Sequence, residues 1–197
     1  MQGGEDMSKS SEKRKERAAY HEAGHAVLDI LMGLPFTEVS LRTMQKDMKQ
    51  AINGKMEDVI HIVTTGVVWP MERTGSANAG GAFDGKLDLR EAVCSMAGPV
   101  AEAMFVGDID DTAKFGAQND VNGIQAVCRA AISPGLPFEK WKESVMEEHI
   151  VKAAHLQAFE ILQEHWECIE AVAQALLKHR SLTYEQAKAI VDRKKGG

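Results

Sequence analysis

Charged and polar residues crowd Ser11 to Arg17. Apolar side chains then take over through Ala26, Val27, Leu28, Ile30, Leu31 and Met32, until Gly33 and Pro35 interrupt them. A polar start, an apolar continuation and a Gly/Pro stop predict one helix over residues 12–32. Gly24 inside that helix costs about 1 kcal/mol relative to alanine, so another segment is expected to approach the backbone there. Beyond Pro35 the period shortens. Phe36 to Leu41 alternates as a short strand, and Val59 to Trp69 is apolar and β-branched enough to form a second. The polar residues 43–58 between them contain Asn53-Gly54 and read as a loop or irregular insertion. Residues 74–85, rich in Gly, Ala, Ser and Asn, read equally as a plain connector or as a flap near a site.

From Asp88 the pattern is helical. Asp88 and Glu91 form a pair resembling a capping box, and Val93, Met96, Ala97, Val100, Ala101, Met104 and Phe105 make one apolar stripe expected to face the core. The other line holds Ser95, Gly98 and Glu102, with room for a neighbouring helix, and Pro99 implies a kink. A further helix is predicted over residues 119–132, stopped by Ser133 to Pro137. Residues 138–180 are strongly helical, and Thr183 with Gln186 opens a last short helix. No internal repeat is visible. The fold class expected is α+β, predominantly helical, with a small sheet and a C-terminal helical region.

A chain of 197 residues suffices for one sizeable core, so one domain over residues 11–197 is expected. Residues 1–10, with Gly3 and Gly4 among polar side chains, read as a disordered leader. The net charge of −6 argues against a nucleic-acid partner, and the basic run Lys13 to Arg17 is broken by Glu16 at a helix start. Cys94, Cys128 and Cys168 are odd in number and far apart, which offers neither a disulfide framework nor a cysteine zinc site and fits a reducing, cytoplasmic location. No stretch has the length of a transmembrane helix or the form of a signal peptide.

The chemistry concentrates in residues 21–25, HEAGH. Positions i and i+4 of a helix share a face, so His21 and His25 can hold one metal ion while Glu22 reaches toward a water at its open position. A catalytic zinc normally takes three protein ligands, so the chain must supply another donor. Other histidines do not compete: His149, His155 and His165 fall at spacings that do not stack on one helix face, and His61 is isolated on a strand. Trp141, Met146 and Trp166 read as helix packing.

Three blocks resemble the peptidase domain of FtsH-type ATP-dependent zinc proteases: Ala19 to Val27 around HEAGH, Ala97 to Glu102, and Gly116-Ala117-Gln118-Asn119-Asp120. Their order and approximate spacing agree with that family, and the similarity spans the chain from Ala18 onward. The resemblance implies a zincin-like active-site helix and Asp120 as third ligand, matching the family's aspartate. An acidic residue in the first turn of a helix is compatible with that role and equally with simple stabilisation of the helix start. Glu102 is the competing carboxylate, expected either to support the site from behind the ligands or to be structural. Pro99 stands where the family usually has arginine.

The implied function is that of a zinc-dependent endopeptidase (Zn2+ cofactor; metal ligands His21, His25 and Asp120). Glu22 would act as the catalytic general base, hydrolysing peptide bonds in unfolded or short polypeptides. The family's AAA+ ATPase and membrane anchor have no counterpart in this sequence. The one Walker-like string, Gly80 to Lys86, is followed by Leu87 instead of Ser or Thr, so no ATP binding is expected. The resemblance leaves two protein partners open, further copies in a ring and a separate unfoldase. The rival reading is a catalytically weak or silent peptidase-like domain that binds a protein partner, motivated by Pro99 and the missing ATPase. An intact Glu22 weighs against it. A structural metal site is disfavoured because two histidines and one carboxylate leave a position open.

Overall fold

The computed structural model describes residues 3–52, 55–70, 89–108, 120 and 145–196. Among them the chain is predominantly helical, with one three-stranded sheet. Helix α1 spans Gly3–Met32, strand β1 Phe36–Ile52, β2 Lys55–Pro70 and α2 Leu89–Val106. These are followed by α3 (Val145–Glu164), α4 (Trp166–His179), β3 (Ser181–Thr183) and α5 (Tyr184–Lys195). The expected α+β class holds.

Helix α1 stops before Gly33 as its pattern predicts, but it starts at Gly3, well before residue 12. Residues 3–10 therefore continue the helix, where composition had pointed to a disordered leader. The reason is cooperativity: once a long helix is nucleated by packing further along, polar residues extend it at one hydrogen bond apiece.

The second difference lies in the sheet. Residues 43–52 and 55–58, read as a loop from their polarity, extend β1 and β2 into an antiparallel ladder running from Phe36↔Pro70 to Ile52↔Lys55. Backbone pairing does not require apolar side chains, and a two-residue connection of Asn-Gly type is a strong hairpin signal in its own right. Residues 53 and 54 themselves, the 74–85 segment, the Walker-like string and the Asp88 cap lie outside the described residues.

Strand β3 was not anticipated. Three residues are too few to show a period, yet Glu38↔Thr183, Val39↔Leu182 and Ser40↔Ser181 pair antiparallel, giving the order β2-β1-β3. Thr183 then caps α5: its hydroxyl accepts from the Gln186 amide while the Gln186 side chain accepts from the Thr183 amide. That is the expected capping box.

Helix α1 packs on α2 and α4, and α2 packs on α3. Val27, Leu28, Phe36, Val39, Val100, Leu162, Ile169, Val172, Leu176 and Val191 are fully buried in one core cluster. The expected stripe of α2 is the core face, with Val93, Met96, Ala97, Val100 and Ala101 buried. Pro99 sits inside α2 without dividing it. Of the helical stretch expected over 138–180, the described part from Val145 onward is two helices, parted at His165, whose carbonyl accepts from Cys168 as α4 begins. No described helix is long and apolar enough to cross a membrane.

Candidate metal centre

The site is made where α1 crosses α2, and small residues make the crossing close. A Cβ on Gly24 would fall 2.5 Å from the Ala97 carbonyl oxygen and 2.6 Å from the Ala101 Cβ. The close approach expected at Gly24 is thus supplied by α2. One residue ahead of the motif, Tyr20 stacks on Phe105 at 4.0 Å between ring centroids and on Trp166 at 5.7 Å. This aromatic group, with Phe105 on α2 and Trp166 on α4, fixes the rotation of α1 just before His21.

His21 and His25 face one another with their Nε2 atoms 3.3 Å apart. The Asp120 carboxylate, on backbone of helical conformation, stands across from both, with Oδ2 3.6 Å from His21 Nε2 and Oδ1 3.6 Å from His25 Nε2. One ligand atom from each of the three lies within 4.8 Å of the others, and theirs is the one such cluster among the described residues. Of the helix expected over 119–132, only Asp120 is among those residues.

The outer nitrogens are engaged elsewhere. His25 Nδ1 lies 2.8 Å from the Cys94 carbonyl oxygen, which can only accept, so Nδ1 carries a proton and Nε2 is the nitrogen that faces His21 and Asp120. His21 Nδ1 lies 3.1 Å from Glu102 Oε2. Glu102 Oε1 is in turn gripped by Arg17, at 2.8 Å from Nε and 2.7 Å from Nη2. Glu102 therefore stands behind His21 and on the far side from the Asp120 cluster. Sequence reasoning missed Arg17 and the Cys94 carbonyl. The spacing of Arg17, four residues before His21, was the available signal.

Three features fit a tetrahedral zinc ion. Zinc bonds to nitrogen or oxygen near 2.0–2.1 Å imply donor-to-donor edges of about 3.3 Å, close to the separations among these three side chains. Both imidazoles have Nδ1 occupied, which turns Nε2 inward. Finally, the space beside the Nε2 atoms is kept open by Gly98, where a Cβ would overlap His25 Nε2 and lie 2.6 Å from His21 Nε2. The small residue expected to admit a neighbouring helix admits the two rings.

Charges inside the site reinforce one another. Burial would lower the His21 pKa, but the Asp120 and Glu102 carboxylates outweigh it and push the imidazole up to about 10. The Asp120 carboxyl is held below its ordinary value even though burial opposes this, because His21 and His25 stabilise its charge. Glu22 is buried, with a side chain in the field of both imidazoles. Its pKa is raised by that burial, and the histidines only partly offset the effect. A carboxyl poised above its usual range is suited to accepting a proton and giving it back.

The chain is 26% identical over 219 residues to the ATP-dependent zinc metalloprotease FtsH 2 of Methylacidiphilum infernorum, covering 92% of this chain and 29% of that protein. It is also 24% identical over 204 residues to the ATP-dependent zinc metalloprotease FtsH of Streptococcus pneumoniae serotype 4, covering 92% and 28%. The chain is FtsH-like along most of its length. It spans under a third of the length of these relatives. No family model matches it. The FtsH resemblance read from HEAGH and Gly116 to Asp120 thus extends over nearly the whole sequence, and the relatives are named as zinc metalloproteases.

Proposed function

We propose that this chain is a zinc-dependent endopeptidase domain that cleaves unfolded or short polypeptides. The observation that carries the reading is the convergence of His21, His25 and Asp120, with one donor atom from each within 4.8 Å of the others. These three residues hold the metal, and residues 11–197 act as one peptidase unit. A zinc ion bound there supplies Lewis acidity, polarising the scissile carbonyl and acidifying water.

The remaining steps belong to the chain. Glu22, buried and raised in pKa, takes the proton from the attacking water and delivers it to the leaving amine. Cys94 through its carbonyl and Glu102 through its carboxylate keep the two imidazoles turned inward. Strand β2 is an edge of the described sheet and lies against α1, the helix that carries His21 and His25, so an extended peptide can add to it. The location proposed is cytoplasmic, with further copies in a ring or a separate unfoldase as protein partners.

The test is metal analysis of the purified chain, coupled to cleavage of an unstructured peptide with and without a chelator. One zinc per chain and cleavage lost on chelation are expected. Alanine at Asp120 should weaken metal binding far more than alanine at Glu102, and the reverse order would mean the wrong carboxylate has been assigned. Zinc bound without cleavage would favour the silent, partner-binding reading.

A further inference from the structure

Arg17, His21 and His25 recur at intervals of four along α1 and so stand on one face, a turn apart. The two histidines have been given work, but Arg17 has not. Its guanidinium brings both Nε and Nη2 onto Glu102 Oε1, at 2.8 and 2.7 Å, across 85 positions of sequence. The other oxygen of that carboxylate meets His21 Nδ1 at 3.1 Å. Glu102 is buried and the Arg17 side chain is about a third exposed, so the pair reaches from the rim of the molecule to the back of the site.

We propose that Arg17 is a positioning residue for the metal centre, acting through Glu102 to hold the His21 ring in the tautomer and rotation that present Nε2 to the metal. A carboxylate bound only to an imidazole can rotate about its last side-chain torsion. With Oε1 held by two guanidinium donors, Oε2 has one direction left, toward Nδ1. A proton fixed on Nδ1 leaves the Nε2 lone pair for a metal, and partners of this kind alter metal affinity by about 10–100-fold. The inference rests on the proposed reading of His21, His25 and Asp120 as metal ligands.

The experiment measures zinc and cobalt(II) binding to the purified chain by competition with a chelating dye, together with the cobalt(II) absorption spectrum. Wild type is compared with Arg17→Met, Glu102→Gln and the double variant. Arg17→Met should bind zinc about tenfold more weakly and show an altered cobalt spectrum. The double variant should bind no more weakly than Glu102→Gln alone, because the arginine acts only through that carboxylate. Wild-type affinity and spectrum in Arg17→Met, or penalties that add in the double variant, would overturn the proposal.

If Arg17→Met does not fold, Arg17→Lys carries the test. It keeps the charge but not the two-nitrogen grip, so weakened metal binding is expected and wild-type binding refutes the role. A wild-type chain that binds neither metal defeats the metal-centre reading itself, a result distinct from all of these.

Discussion

At the residue scale, the motif divides its labour by burial and by partner. Glu22 adjoins His21 in sequence but is buried with a raised pKa, whereas His21 and His25 are tied through their outer nitrogens. Glu22→Gln should therefore retain zinc and lose peptide hydrolysis, since the amide keeps the shape but cannot carry the proton. Metal content and turnover measured on the same preparation decide this, and comparable cleavage by the variant would rule the role out. His21 sets a pH dependence. Without metal its pKa is pushed up to about 10, against about 6.5 in an unfolded chain. The folded protein thus binds the extra proton between those values. The stability this adds is complete below about pH 6.5 and is lost as the pH rises through 10. A metal must displace that proton, so zinc should bind more tightly with rising pH and release about one proton near pH 8. Calorimetry in buffers of different ionisation enthalpy counts it, and no release would mean His21 is already neutral.

At the element scale, the crossing of α1 and α2 decides whether a site exists. Gly24→Ala sets two effects against each other. Alanine gains about 1 kcal/mol of helix propensity, but its methyl would sit 2.5 Å from the Ala97 carbonyl, a backbone atom that moves only with its helix. Overpacking of this kind costs about 1–3 kcal/mol, so a net loss of stability is expected, read as a lower urea midpoint. An unchanged or higher midpoint would show that the helices separate freely. The same crossing explains what the sequence does and does not disclose. His21, His25 and the need for a close neighbour at Gly24 are local, readable from helical spacing and composition. Which atoms approach is non-local. Arg17 meets Glu102, and His25 meets a carbonyl of α2, through a packing angle that no spacing encodes. Asp120 became legible only through family resemblance, because an aspartate in a first helical turn has a local use of its own. The sheet was half legible for a related reason. Its apolar portion alternates, while the outer ladder, residues 43–52 against 55–64, is held by backbone bonds that side-chain polarity conceals.

At the scale of the whole molecule, a small α+β unit presents the helix that carries HEAGH and a sheet edge, without a described element that would do mechanical work. Strand β1 is central, β3 closes one of its sides, and β2 is left as an edge among the described residues. A peptide added there must be extended, and the segments of a stably folded protein adopt such a form only when they open. The Walker-like string ends in Lys86-Leu87, without the hydroxyl that binds magnesium. Peptidase activity of this chain alone should therefore be indifferent to ATP and confined to unfolded, flexible or short substrates. The measurement compares turnover of an unstructured protein with that of a stable folded domain, each with and without ATP. Cleavage of the first and sparing of the second, unchanged by nucleotide, is the expected result. ATP-stimulated degradation of the folded domain would reveal a motor function in this chain. If both substrates survive although zinc is bound, the intact HEAGH serves a fold whose role is to hold a partner, and the edge of β2 becomes the surface on which to look for it.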